Sequence, residues 1–479
     1  MIAETDGATP DDAGDEAAPA RAAPARRGGD RGGWIWLALV VIAVGLFFLR
    51  VSAPWPVERL QALGFDALQG VGPVSALERP APVVVGVGDR SIAEIGPWPW
   101  PRDRLAGVVE AATQAGAEVV VLNLLLEAPD VLDPDRPRQE GGPGDGGPGD
   151  GGLRQAPEPP PSDAALAEAL RKVRSALATS VTDRPASSES RGPFALTMVG
   201  APAERTPAYE GVAAAAQPIR AGATTEGAAN LTPDADAVLR RAPTVFFAGG
   251  VAHPSLAVAA VAAMGRSGTV IARESGVAAV VVGGRRVRTD AAGRVFLDFA
   301  GGAARVGRVE ASDLVGEGGG SDRSPGGAET ADAASEAARR AVAGRVAVIG
   351  VDAAGLAPAF SAAHGEVISG AEVVAVAIDA LISGATLSRP RALVLAEHAA
   401  FLAVALALAT AWARLSRLAA AGATLACVLA WLAAAAIVRV APALVVDVAA
   451  PIGLWIALAG CGALLASLRR GRSAEPGAG

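Results

Sequence analysis

The strongest constraint on this chain is the placement of its apolar runs. One lies near the N-terminus, from Trp34 to Leu49 and extendable to Ala53. Three more crowd the C-terminal end, at 392–413, 418–438 and 443–468. Each is close to the ~20 residues that cross the ~30 Å hydrocarbon core of a bilayer. Between them, residues 54–390 form a polar block of 337 residues. The pattern predicts one transmembrane helix, a large folded domain, then three transmembrane helices. That is the layout of a receptor, for which an output domain beyond the last helix is expected; here only 469–479 follow, read as a short cytoplasmic tail.

Arginine placement predicts the orientation. Arg21, Arg26, Arg27 and Arg31 precede the first run, Arg414 and Arg417 fill the link between the second and third, and Arg469, Arg470 and Arg472 follow the last. The positive-inside rule puts all three sites in the cytoplasm, against the smaller opposing set Arg389, Arg391 and Arg439. The expected location is a bacterial inner (cytoplasmic) membrane, multi-pass, with 54–390 on the outer face. A cleaved signal peptide is the rival reading for 34–53, and Val51-Ser52-Ala53 would serve as its cleavage site. The long leader before the run favours a retained anchor.

Net charge of −7 argues against nucleic acid as a partner. Lys172 is the only lysine, so no GxxxxGK[ST] phosphate loop exists. There is no GxSxG elbow, and His253, His364 and His398 stand apart from one another without metal-ligand spacing. No catalytic residue, metal or cofactor is therefore expected. Cys427 and Cys461 both fall in apolar runs, so the outer block has no disulfide and must rely on its own core.

Within the block, residues 56–70 place Val57, Leu60, Leu63 and Leu68 near helical spacing, as a stalk helix leaving the membrane. Strand 82–87, helix 102–115 and strand 118–126 fit a right-handed βαβ crossover, with Gly116 just past the helix end. Further strands are predicted at 194–200, 243–247, 269–272, 278–282, 294–299 and 346–350, and helices at 163–178, 254–264 and 370–383. The fold class is thus an α/β domain, with a mainly parallel sheet and flanking helices, plus four transmembrane helices. Residues 1–33, 134–161 and 316–328 are too poor in apolar residues to order themselves. The first reads as a tail. The other two read as loops inserted in one domain, or alternatively as separators of two.

The segment 83–130 carries the run Trp98-Pro99-Trp100-Pro101-Arg102, then a helix, an Ala-Gly-Ala turn and a strand ending in Glu-x-Pro-Asp. With NLTPDADAVLR (230–240), His253-Pro254-Ser255-Leu256, VAVIGVD (346–352) and the run from Gly370 to Ile382, it resembles the CHASE domain, type 2. The resemblance covers about 56–384. It implies an extracytoplasmic sensory module of bacterial receptors, usually followed by three membrane helices and a kinase or cyclase. Gly88 stands where the family typically has an acidic residue, Asn123 where it usually has Asp, and LDFAGG (297–302) lacks a usual Tyr.

Several residues are candidates for a site. Ligands of parallel sheets bind outside the carboxyl ends of strands, where Asp89, Arg90, Asn123 and Glu127 are expected. Turn capping by the same residues is the other reading. Trp98 and Trp100, stiffened by their prolines, either cap a ligand pocket or clamp the helix that Arg102 begins. Asn230, Asp234 and Asp236, with Arg240 and Arg241, form either a ligand-facing loop or an ion-paired turn. In the apolar runs, Glu397, His398, Arg439 and Asp447 are expected near the outer surface, with Arg439 pairing to Asp447 or Glu397. Gly422, Gly460 and Gly462 are expected to allow close helix contact. The expected function is perception of an unknown small-molecule or envelope signal. Its relay would run through the C-terminal helices to a separate signalling protein, from a homo-oligomer. The alternative is a non-catalytic platform for envelope binding or assembly.

Overall fold

The computed structural model describes residues 33–69, 80–133, 160–185, 196–200, 207–265, 268–273, 276–299, 305–316, 325–363, 365–384, 386–440 and 444–473. Residues 1–32 of the expected tail 1–33, most of the two low-complexity segments and His364 lie outside the described residues, and Gly33 begins the first helix.

The elements that position the site are these, in chain order. Gly33–Ser52 is α1, Trp55–Leu68 is α2, Val83–Val87 is β1, Asp89–Ile95 is α3, Arg102–Gln114 is α4 and Val119–Leu122 is β2. Pro161–Arg171 is α5, Ser175–Thr182 is β3, Gly211–Ala213 is β4, Thr225–Ala228 is β5 and Leu256–Ala263 is α6. Gly307–Glu310 is β6, Ala311–Val315 is α7, Pro325–Val342 is α8, Val346–Val351 is β7 and Gly370–Ser383 is α9. Arg391–Arg414, Arg417–Val440 and Ala449–Ser473 are α10, α11 and α12.

The main sheet runs β6-β1-β7-β2-β3-β4, with β5 also paired to β3. All of these pairs are parallel except β3 with β4. The predicted crossover from 83–87 to 119–122 exists, but β7 lies between the two strands: Val85 faces Ile349, and Val348 faces Val121. Strands β1, β2 and β7 are buried along their whole length because helices cover both faces, which is why they read as unbroken apolar runs. Their side chains alternate between two cores. Val83, Val85 and Leu122 join Leu105, Val109, Leu166 and Leu170 of α4 and α5. Val84, Val121 and Val348 join α6, α9 and a second, smaller sheet of Gly268–Arg273, Gly276–Val282 and Arg285–Arg288.

One predicted helix is corrected. The helix expected at 163–178 ends at Arg171, and Ser175–Thr182 is a strand inside the sheet. Ala176, Leu177 and Ala178 favour a helix locally, but pairing with β2 on one side and β5 on the other overrides that weak preference. By contrast α9 matches its predicted bounds. Its start carries a capping box, in which Ser369 Oγ accepts from the Glu372 N–H and the Glu372 carboxylate accepts from the Ser369 N–H. Its end is Gly384 at φ +71°.

Four helices, α1, α10, α11 and α12, are long and apolar enough to cross a membrane. Leu39 and Ala43 pack against Phe401 and Ala405 of α10 and Leu458 of α12. The Phe401 and Trp455 rings stack 5.8 Å apart. Helix α11 is the most exposed, with Leu418 at 88%. Of the three glycines expected at helix contacts, only Gly462 sits in one, where an added Cβ would lie 2.8 Å from Trp412. Gly422 and Gly460 have open space beside them.

Two further expectations are corrected here. The last helix starts at Ala449, not 443, because Leu444 and Val445 are extended and pair with Ser388. The stalk does not leave the bundle. Ala53 at φ 42° and Pro54 break it from α1, and α2 then rests against the start of α12. There the Gly64 position lies so close that an added Cβ would be 2.9 Å from the Ala449 nitrogen.

Candidate functional site

Arg50 sits in the last turn of an otherwise apolar helix, with its side chain 0% exposed. A charge so placed needs partners, since the cost of dehydrating it is several kcal/mol. Two carboxylates supply them. Its Nη2 donates to Asp447 Oδ2 at 2.8 Å and reaches Glu397 Oε2 at 3.5 Å. Arg389 Nη2 donates to the same Glu397 oxygen at 2.7 Å. The Asp447 N–H donates to Glu397 Oε1 at 3.0 Å, and Asp447 Oδ1 accepts from the Ala450 N–H at 3.2 Å, capping α12. The Arg50 guanidinium lies 5.4 Å from the centre of the Phe401 ring. Two arginines and two carboxylates thus tie α1, α10 and α12 into one neutral knot.

The expected pairing of Arg439 with Asp447 or Glu397 falls on a side chain outside the described residues. Arg50 and Arg389 hold both carboxylates. His398 packs its ring edge-on to Phe47 at 6.3 Å instead of joining the knot. The signal for Arg50 was present in the sequence as a lone charge inside an apolar run, a feature that marks function by default.

Above the knot, the 230–240 segment meets α2. Arg240 is buried and forks onto Asp66, with Nε to Oδ1 at 2.7 Å and Nη2 to Oδ2 at 2.8 Å. It also donates to both oxygens of Asp236, each at 2.9 Å. Burial works against its charge, but the hydrogen bonds from Asp66 and Asp236 outweigh it and raise its pKa above that of an ordinary arginine. The Arg240 hydrogen bonds hold Asp236 below the usual carboxylate range. Arg241 pairs with Asp234 and lies over Phe296, whose ring is 5.1 Å from that of Phe65 in α2. Between this cluster and the knot lies a cavity of about 400 Å³, bounded by α2, the Asp234–Arg241 turn, Arg389 and Val445–Asp447.

Asp236 therefore belongs to an ion-paired turn. Asn230 is a sheet cap, its amide donating to the Val181 carbonyl at 3.1 Å and its carbonyl accepting from the Val181 N–H at 2.8 Å.

The carboxyl ends of the main strands hold a second cluster, differently composed from the expected one. Ends of β1 and β2 are separated by β7, so Asp89 and Asn123 do not face each other directly. Asp352, which follows β7, fills the gap and lies over Gly86, where a Cβ would collide with its carboxylate. Glu310 at the end of β6 lies over Gly88 in the same way and accepts from Ser91 Oγ at 2.6 Å. Arg308 approaches Asp352 at 2.7 Å, Glu310 at 3.6 Å and Glu372 at 3.9 Å. Burial pushes Asp352 up to about 6, with Glu310 and Glu372 adding to it and Arg308 opposing. Asn123 borders Gly350 and Gly370. Asp89 and Glu127 are exposed, and Arg90 pairs with Asp313. Among the described residues no group of three or more His, Cys, Asp or Glu is placed to hold a metal ion.

The tryptophan segment is built into the core. Trp100 is 1% exposed and donates from Nε1 to the Gly96 carbonyl at 2.7 Å, with Trp98 edge-on at 5.7 Å. The Arg102 N–H donates to Asp130 at 2.7 Å, and its guanidinium lies 3.8 Å from the buried Asp163 carboxylate. These contacts fasten the start of α4, so Trp100 offers no face to a ligand.

A doubly covered α/β sheet is thus joined through buried ion pairs to helices long and apolar enough to anchor it in a membrane. The chain belongs to the CHASE2 domain family, which matches residues 37–413 and so includes most of α1 and nearly all of α10. CHASE2 domains are extracytoplasmic sensory, non-catalytic domains. No curated protein and no solved structure matches the chain.

Proposed function

We propose that this chain perceives a signal in its α/β domain, outside the cytoplasm, and relays it through the junction to the helix bundle. The arginine pattern supports a multi-pass protein of a bacterial inner membrane with both termini inside. The charged cluster of Arg308, Asp352 and Glu372 is our candidate for where the signal is received. It combines a buried carboxylate with a half-exposed arginine at the mouth of a parallel sheet.

The relay runs through contacts that resist stretching. A shift of the 230–240 segment pulls Asp66 through its two-bond fork to Arg240. Helix α2 passes the shift to α12 where Gly64 meets Ala449. Asp447, just ahead of α12, passes it to α1 and α10 through Arg50 and Glu397. The output is a change in the relative position of α10 and α12 at their cytoplasmic ends, read by a separate signalling partner or a second copy of the chain.

The observation that carries this reading is one cavity walled by Asp236 and Arg240 of the upper cluster and by Arg389 and Asp447 of the knot. The test is a spin-label distance between Arg414→Cys and Ser467→Cys in the full chain in liposomes, with Cys427 and Cys461 changed to Ser. Arg240→Ala should shift that distance distribution. An unshifted distribution in a folded variant would refute the relay.

A further inference from the structure

The junction cavity has a chemistry that the relay leaves unexplained. Most charges around it are matched. Arg240 is taken by Asp66 and Asp236, Arg241 by Asp234 and Asp290, Arg294 by Asp290, Arg389 by Glu397, and Asp447 by Arg50. Two residues of α2 that line the cavity, Glu58 and Arg59, form no ion pair among the described residues. Arg59 lies over the Trp55 ring at 5.8 Å, and Trp55 is 59% exposed. Arg389, a residue of the cavity wall, also carries a buried Nε with no hydrogen-bond acceptor among the described residues.

The cavity also has a defined level. Arg50 closes α1, Arg389 immediately precedes α10, and Asp447 precedes α12. In a membrane crossed by these helices, the cavity lies where headgroups lie. An exposed tryptophan such as Trp55 is enriched at that depth. A volume of about 400 Å³ is within the range of small-molecule sites.

We propose that this cavity holds the headgroup of a zwitterionic phospholipid, a phosphodiester bearing a primary ammonium. Arg59 receives the phosphate, and Glu58 receives the ammonium. The lipid would then be an integral wedge between domain and bundle. The inference rests on the helices crossing a membrane, not on the relay, and its readout is independent of any movement.

The full chain is reconstituted in an equal mixture of phosphatidylethanolamine and phosphatidylglycerol, extracted, and weighed by native mass spectrometry. The expected result is retained phosphatidylethanolamine, enriched about tenfold over phosphatidylglycerol, the discrimination one charged hydrogen bond supplies. Glu58→Gln should abolish that preference, and Arg59→Ala should lower retention of both lipids. Both side chains are exposed, so neither change threatens the fold. Glu94→Gln, on the far helix α3, should change nothing. Equal or greater retention of phosphatidylglycerol by the unaltered chain would overturn the proposal, as would a Glu58→Gln profile identical to it. A separate arm offers soluble O-phosphoethanolamine to chain reconstituted in phosphatidylcholine alone. Saturable binding there, without phosphatidylethanolamine retention in the first arm, would assign the site to a free solute and overturn the lipid.

Discussion

Arg240 and Asp66 meet through two parallel hydrogen bonds of 2.7 and 2.8 Å, although 174 residues separate them in the chain. One belongs to the sheet-bearing domain and the other to the helix lying on the bundle. A planar guanidinium facing a carboxylate edge to edge fixes angle as well as distance, so this pair sets the tilt of the domain on its support.

Arg240→Ala should therefore destabilise the folded chain by about 3–5 kcal/mol, because it leaves Asp66 and Asp236 as partly buried carboxylates without their cation. Arg240→Lys should recover only part of the loss, since an ammonium cannot bond Asp66 through two nitrogens. Thermal unfolding of the two variants in the same detergent checks the ordering.

The knot below predicts strong coupling. Arg50→Leu alone should cost about 3–5 kcal/mol by stranding Asp447. Adding Asp447→Leu should return part of that loss, because Arg389 still neutralises Glu397 and fewer charges remain buried. Additive losses in the double variant would show that Arg50 and Asp447 act independently.

Gly64→Ala tests the rest of α2 on α12. Helix propensity alone would favour alanine by about 1 kcal/mol. The added Cβ would lie 2.9 Å from the Ala449 nitrogen, a backbone atom that cannot rotate away. The variant should be less stable than the unaltered chain, and Gly64→Val less stable still, measured by thermal unfolding.

Asp352 gives the domain a signed response to pH. Its folded pKa, about 6, stands above the ordinary 3.8, so between these values the folded state binds more protons than the unfolded one. This group's contribution to stability is fullest below the lower value, declines as pH rises through the window, and is constant above about 6. Asp352→Asn should flatten that part of the melting-temperature profile between pH 4 and 7. A variant profile parallel to the original would count against Asp352 as its source.

The sequence by itself determined the four apolar helices, the buried β1, β2 and β7 strands and the bounds of α9. In each case a local pattern suffices: length and hydropathy for the first, unbroken valine runs for the second, a Ser-x-x-Glu start and a glycine stop for the third. It also singled out Glu397, Asp447, Asp236 and Arg240. What it could not supply was their long-range partners, Asp66 for Arg240 and Arg50 for Asp447. Arg50 was an unexplained charge in an apolar run until folding brought it 2.8 Å from Asp447, and β3 read as helix until two neighbouring strands claimed it. Asp352 lies between Asp89 and Asn123 only because β7 inserts between β1 and β2. Periodicity and composition report what each residue tends to do with its near neighbours. Ion pairs and strand order join residues hundreds of positions apart, and the free energy that selects them arises only when burial removes water from both partners.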